Sequence, residues 1–193
     1  MRRGRLLRLI GAATAVVAAA FLAPMAVRAP GPAPPPRART AVDVQDAAIA
    51  RGASGPSVGS TVPASVLPGI AGPEVAFPQA TPTVLLFFRS QCATCPDELA
   101  GLAAVAASTG GRVRTVAVSL DEDPAQSEPL VRAAASEGLV EVGADPGRTV
   151  AGPLGVVDVP ATIVLDPSGI VVADWREAIG ISVLHAFLRR TFL

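Results

Sequence analysis

The chain has 193 residues, half of them apolar, and its 16 basic and 16 acidic side chains give a formal charge of zero. This length suits one domain of ordinary size with additional segments. Because the chain is neutral, its charge gives no argument for nucleic-acid binding, and we expect no nucleic-acid partner. One histidine, His185, and two cysteines are too few for a zinc site within the chain, so we expect no metal and no cofactor.

Residues 1–28 combine a basic start with an apolar run. Four arginines occur before Leu9–Val27, a stretch of about 19 uncharged residues, close to the roughly 20 that cross a bilayer. The positive charges place the N-terminus inside the cell and the rest of the chain outside. The segment is either a signal peptide that is removed or a single-pass anchor that is kept, and both predict a protein that works outside the cytoplasm.

Residues 29–58 are rich in proline and alanine, which predicts an extended, semi-rigid linker between the N-terminal segment and a folded domain at residues 59–193. Within this linker, Val42–Ala50 has the composition of one or two helical turns. The pattern after residue 59 changes to alternating strand and helix signals. The chain therefore predicts an exported or membrane-tethered domain held on a spacer.

The predicted elements of the folded domain alternate between strand and helix. In chain order they are a hairpin of Val62–Leu67 and Glu74–Phe77, a buried strand Thr83–Phe88, a helix Ala93–Ser108, a strand Arg112–Leu120, a helix Pro124–Glu137, a strand Leu139–Gly143, a short helix Pro146–Leu154, a hairpin of Ala161–Leu165 and Ile170–Ala173, and a helix Ile181–Phe192. This order predicts an α/β fold with a central mixed sheet flanked by helices.

Both cysteines lie in one tetrapeptide, Cys92-Ala-Thr-Cys95, between the buried strand and the following helix. Thiol exchange requires a thiolate that attacks and a second thiol that resolves the mixed disulfide. A helix N-terminus favours negative charge and lowers a cysteine pKa from about 8.5 to roughly 3.5–7.5. We therefore predict a redox-active disulfide in which Cys92 is the nucleophile and Cys95 the resolving cysteine. Half of a shared metal site and a static disulfide are the alternatives.

Three motifs occur in order along the domain: Cys92-Ala-Thr-Cys95, Val159-Pro-Ala-Thr162 and Leu165-Asp-Pro-Ser-Gly169. With these motifs the chain resembles the thioredoxin superfamily, and specifically the bacterial exported TlpA/ResA-like branch, over roughly residues 58–193. The resemblance implies a thioredoxin fold with an N-terminal hairpin. It also implies a helix–strand insertion at about Glu122–Ala144.

The resemblance implies further site residues. It places a cis Val159–Pro160 bond beside the cysteine pair, where both residues would bind an extended substrate segment. Glu98 matches an acidic position near the active site of this branch and is a candidate proton relay. The alternative is that Glu98 is a solvated residue that favours the dipole of the first helical turn. The chain departs from the family at Gln91 and Pro96, beside the two cysteines.

These features predict an enzyme, a thiol–disulfide oxidoreductase that reduces or exchanges disulfides in extracytoplasmic proteins. Its partners would be protein disulfides or dithiols and a membrane electron donor, and cytochrome c maturation is the setting that the resemblance implies. A peroxiredoxin-like thiol peroxidase is one alternative, although Arg89-Ser-Gln91 lacks the Pro-x-x-x-Thr/Ser-x-x frame expected before its cysteine. A non-catalytic metal carrier or partner-docking module is the other.

Three more features receive structural roles. The acidic cluster Asp121–Asp123 precedes Pro124 and is predicted to cap a helix. Trp175 is predicted to cover the core near the last hairpin, and His185 to be a surface or packing residue.

Overall fold

The computed structural model describes residues 55–134 and 139–193, together with Asp46 and Ile49. The predicted signal or anchor at 1–28 lies outside the described residues, as does most of the predicted linker. Asp46 and Ile49 are helical, Ile49 belongs to the main core, and Asp46 pairs with Arg190 at 2.7 Å. Within the described part of the chain, no helix is both long and apolar enough to cross a membrane.

The elements follow the predicted order, except that no helix forms between the strands at Glu141–Ala144 and Ala161–Leu165. The strands are β1 (Ser65–Leu67), β2 (Val75–Phe77), β3 (Thr83–Phe88), β4 (Arg114–Ser119), β5 (Glu141–Ala144), β6 (Ala161–Leu165) and β7 (Val171–Trp175). The helices are α1 (Cys95–Thr109), α2 (Glu128–Ala134) and α3 (Ile181–Thr191), with a 3₁₀ helix at Pro124–Ser127 before α2.

Five strands form the central sheet in the order β5-β4-β3-β6-β7. Strands β3, β4 and β5 are parallel, whereas β6 and β7 pair antiparallel at the other side. The mixed sheet with flanking helices confirms the prediction of an α/β thioredoxin fold. The predicted N-terminal hairpin is the antiparallel pair β1–β2, and α2 and β5 form the predicted helix–strand insertion.

Strand β3 is buried along its whole length because both faces of the sheet are covered. Successive side chains of a strand point to opposite faces. Leu86 and Phe88 accordingly join the core under α1 and α3, whereas Leu85 and Phe87 join a second core under the β1–β2 hairpin. This burial fixes the carboxyl end of β3, from which the cysteine loop starts.

Arg114 connects the hairpin to the sheet. Its guanidinium donates to Glu141 through Nε at 2.7 Å and Nη2 at 2.6 Å, and to the carbonyl of Ala76 at 3.0 Å. The same guanidinium lies 5.3 Å from the ring centroid of Phe77. A buried arginine needs such partners, and here they come from β2 and β5.

The predicted helix at Pro146–Leu154 is wrong, because these residues form a series of turns. The carboxylate of Asp145 accepts hydrogen bonds from the backbone N–H groups of Thr149, Val150 and Ala151 at 2.6, 3.0 and 2.9 Å. Arg148 has a φ of 55°, which interrupts a right-handed helix. The side chain of Asp145 thus organises the start of this segment, although Gly152 N–H still donates to the carbonyl of Arg148 at 2.9 Å as in a helix.

The helix predicted from Pro124 begins as a 3₁₀ helix, and α2 starts only at Glu128. Its predicted end at Glu137 lies outside the described residues.

Candidate active site

The two cysteines lie at the carboxyl end of β3, in the turn that leads into α1, and they are joined by a disulfide. Cys95 is the first residue of α1 and its exposure is 0 %, whereas Cys92 is half-buried in the preceding turn. Their Cα atoms are 5.4 Å apart. The pair therefore has one sulfur that a large partner can reach and one that is enclosed by the protein.

Local sequence explains why α1 starts here. Pro96 falls in the first turn, where its missing N–H has no helical partner to lose. Asp97 and Glu98 follow in the same turn, where acidic side chains favour the helix dipole. The helix ends at Gly110, whose φ of 59° is the left-handed conformation common at helix C-termini.

Thr94 is a site residue that the sequence reasoning did not single out. It is the N-cap of α1, yet its side chain makes no capping hydrogen bond. Instead its Oγ1 lies 3.7 Å from Cys92 Sγ. A hydroxyl in this position can donate to the Cys92 sulfur when that sulfur is a thiolate.

Val159 faces the cysteine loop across a cleft, whereas Pro160 after it is buried. The Val159–Pro160 peptide bond is cis, as the resemblance implies. Val159 is half-buried and lines an open cleft of about 330 Å³ together with residues of the loop: Arg89, Gln91, Cys92, Ala93 and Thr94. The structure thus brings Val159 and Cys92 to one surface, and their role in substrate binding stays a prediction.

Glu98 lies apart from that cleft. It lines a cavity of about 320 Å³ between α1 and the start of α3, over the apolar side chains of Leu86 and Leu184. The backbone N–H of Gly180 donates to Glu98 Oε1 at 3.4 Å. Burial raises the pKa of the Glu98 carboxyl above its ordinary value; backbone hydrogen bonds act in the opposite direction, and the Asp97 carboxylate adds to the increase.

We expect Glu98→Gln to remove part of the pH dependence of stability. A carboxyl with a raised pKa holds its proton more tightly in the folded protein, so its stabilising contribution is present below the unfolded pKa of about 4.3 and is lost as pH rises through the folded pKa. The free energy of unfolding of the wild type should therefore fall relative to that of Glu98→Gln as the pH rises from the unfolded pKa through the folded pKa of this carboxyl. Urea unfolding across this range measures the difference, and Glu177→Gln, an exposed site, is the matched control. A constant difference between wild type and Glu98→Gln would contradict this expectation.

Asp121 forms a buried polar cluster directly behind the cysteine loop. Its Oδ2 accepts hydrogen bonds from the backbone N–H of Ser90 at 2.9 Å and from Ser127 Oγ at 2.5 Å. Ser127 Oγ also lies 2.7 Å from Ser119 Oγ. The predicted capping role is therefore correct for Asp123, which accepts from Ala125 N–H at 3.0 Å, but wrong for Asp121, which links the loop to β4 and the 3₁₀ helix.

Two residues outside the site have structural roles. Trp175 is buried and makes an edge-to-face contact with Phe187, at 5.4 Å between ring centroids, as expected for a core residue. His185 Nε2 lies 3.0 Å from Ser108 Oγ, at the end of α1 opposite to the cysteines.

Several solved structures are similar to this chain over nearly their whole length. A secreted Mycobacterium tuberculosis disulfide oxidoreductase homologous to Escherichia coli DsbE is 18 % identical, with a TM-score of 0.57, covering 65 % of this chain and 95 % of its own. MTB dsbF, in mixed oxidised and reduced forms, is 26 % identical, with a TM-score of 0.59 and coverages of 67 % and 98 %. A thiol-disulfide oxidoreductase from Bacteroides fragilis is 19 % identical, with a TM-score of 0.58 and coverages of 68 % and 98 %.

These likenesses show the thioredoxin fold, and the close Cys92–Cys95 pair fits the redox site of a thiol–disulfide oxidoreductase. No curated protein matches the chain at a significant level. Residues 58–174 match the AhpC/TSA family, and this range contains both cysteines, Val159 and Pro160. Since the match spans more than half of the 193 residues, the chain belongs to the AhpC/TSA family of the thioredoxin superfamily.

Proposed function

We propose that this protein is an exported or membrane-tethered thiol–disulfide oxidoreductase that reduces or exchanges disulfides in extracytoplasmic proteins. The asymmetry of the cysteine pair is the observation that carries the proposal. Cys92 is accessible from the cleft, whereas Cys95 is fully buried at the first position of α1. A partner disulfide can therefore meet Cys92 first, and Cys95 is placed to act on the intermediate from inside.

In the reducing direction the dithiol form of the protein begins the reaction. The Cys92 thiolate attacks one sulfur of the partner disulfide, a Cys92–partner bond forms, and the partner's second sulfur leaves as a thiolate that takes up a proton. Cys95, having lost its proton, then attacks Cys92 Sγ, which restores the Cys92–Cys95 disulfide and releases the partner's other thiol. Two electrons pass from the protein to the partner, and the exchange in the opposite direction reverses each step.

The surroundings of the pair support these steps. The N-terminus of α1 favours a thiolate, and the Thr94 hydroxyl can donate to it. Val159 lines the cleft beside Cys92, and we propose that its backbone, shaped by the buried cis Pro160 that follows it, pairs with an extended partner segment. We propose Glu98 as a proton relay for the pair, acting from the separate cavity that it lines, because it follows Cys95 by three residues in α1 and burial favours its protonated form.

Export is proposed from the N-terminal sequence. Residues 1–28 serve as signal peptide or anchor, 29–58 as linker and 59–193 as the redox domain, and the part of the linker that carries Ile49 contacts the domain core. One of the similar structures is described as secreted. A tethered reductant needs electrons from a donor in the membrane, and cytochrome c maturation is the setting proposed for such a relay.

A thiol peroxidase is the second candidate, because the chain belongs to the AhpC/TSA family and peroxiredoxins share this fold. The comparison to make is between two substrates for the reduced protein, insulin and hydrogen peroxide. We expect catalytic insulin reduction with dithiothreitol as the electron source, and oxidation by peroxide no faster than that of an ordinary thiol. Rapid peroxide turnover without insulin reduction would favour the peroxidase instead.

A further inference from the structure

Among the residues that the structure describes, Arg89 is the one charged residue that lines the cleft around Cys92. It directly follows β3, and its backbone carbonyl accepts a hydrogen bond from the N–H of Cys92 at 3.2 Å. This bond closes a short turn that fixes the backbone of Arg89 relative to that of Cys92. The side chain of Arg89 therefore starts from a defined point at the edge of the cleft that it lines together with Cys92.

The side chain of Arg89 is exposed, and no carboxylate among the residues that the structure describes lies within ion-pairing distance of it. The rest of the cleft is uncharged, with Gln91, Ala93, Thr94 and Val159 around the sulfur. Nearby, Val157 is 72 % exposed on the loop that leads to Val159. An exposed apolar side chain beside a cleft with one cation is suited to contact with a polypeptide.

We propose that Arg89 makes this cleft selective for protein segments that carry an acidic residue next to the reacting cysteine. The inference rests on the proposed function, since it names the class of segment that reacts at Cys92. The Arg89 guanidinium attracts the carboxylate of the segment and so favours its binding beside Cys92. The thiol–disulfide exchange itself follows the steps given above. A basic residue at the same place in the segment is repelled.

The test compares three disulfide-linked peptides that differ only in the residue after cysteine, which is Glu, Gln or Lys. Their rates of reduction are measured with the reduced wild type and with Arg89→Lys, Arg89→Gln and Arg89→Glu. The ratio of the Glu to the Lys peptide is compared between proteins, which cancels the intrinsic reactivity of each peptide and any uniform change in the Cys92 thiol. Arg189→Gln controls for net charge, because it removes one positive charge, as Arg89→Gln does, from an exposed position in the last turn of α3.

We expect the wild type to prefer the Glu peptide over the Lys peptide by about fivefold, the size expected for an exposed ion pair, and to lose most of this preference at high salt. Arg89→Lys should keep part of the preference, Arg89→Gln should remove it, Arg89→Glu should invert it, and Arg189→Gln should leave it unchanged. Equal ratios in the wild type, Arg89→Gln and Arg89→Glu would overturn the inference and leave the proposed function standing. A wild type that reduces none of the three peptides would contradict the proposed function itself, and this inference with it.

Discussion

Cys92→Ser is expected to lower dithiothreitol-driven insulin reduction to the rate of dithiothreitol alone. The serine hydroxyl is not a nucleophile for disulfides at neutral pH, and Cys95, at 0 % exposure, has no access to a protein partner. Cys95→Ser should also lose turnover, but for a different reason, because its Cys92 still attacks and then has no partner to resolve the mixed disulfide. The two single variants thus separate the attacking role from the resolving role.

The control for this pair is Val66→Ser, a change to serine on an exposed residue of β1, at 60 % exposure. It should reduce insulin at the wild-type rate. Turnover that survives in Cys92→Ser would contradict the assignment of the nucleophile. Full turnover in Cys95→Ser would show that the external thiol resolves the intermediate and that Cys95 is dispensable.

Asp121→Ala is expected to destabilise the protein by about 2–3 kcal/mol. The substitution removes the carboxylate that accepts hydrogen bonds from the Ser90 N–H and from the buried Ser127 hydroxyl. Ser90 lies two residues before Cys92, so the loss of this link should also loosen the cysteine loop. We expect faster amide hydrogen exchange at Ser90 in the folded variant, in addition to a lower midpoint of urea unfolding.

Asp123→Ala is the matched control, because it removes an exposed carboxyl two residues away that caps the 3₁₀ helix. Its expected cost is about 1 kcal/mol, and exchange at Ser90 should not change. If both variants lose the same stability and neither alters exchange at Ser90, Asp121 does not hold the loop.

The parts of the fold that the sequence predicted are those in which burial and local pattern agree. The apolar run at Thr83–Phe88 predicted a strand covered on both faces, and its bounds are those of β3. The turn at Asp166–Gly169 could be predicted because its interactions are local. Asp166 accepts hydrogen bonds from the backbone N–H groups of Ser168 and Ile170, and Gly169 takes a φ of 82°. The turns at Pro146–Leu154 could not be predicted from local pattern, since the backbone N–H groups there bind the side chain of Asp145.

In the candidate site, too, the residues fixed by local sequence were predicted, and those fixed by contacts distant in sequence were not. The spacing of Cys92 and Cys95 after a buried strand predicted the helix start, because both signals are local. The bond between Asp121 and Ser90 joins residues 31 positions apart, and local capping rules assigned Asp121 to the wrong partner. The strand order could have indicated this contact, because β3 and β4 are parallel neighbours and the residues that follow them meet at one edge of the sheet. Arg89 has no sequence signal beyond its distance from Cys92, and only the cleft shows that the two share a surface.

The most direct test of the central claim is to identify the sulfur that becomes bound to a partner. The reduced Cys95→Ala protein is mixed with insulin, remaining thiols are blocked, and the adduct is digested and examined by mass spectrometry. We predict a disulfide between an insulin chain and Cys92 that dithiothreitol releases, and no comparable adduct with Cys92→Ala. Equal trapping through Cys95 in Cys92→Ala, or no adduct with Cys95→Ala, would contradict the claim that Cys92 attacks and Cys95 resolves.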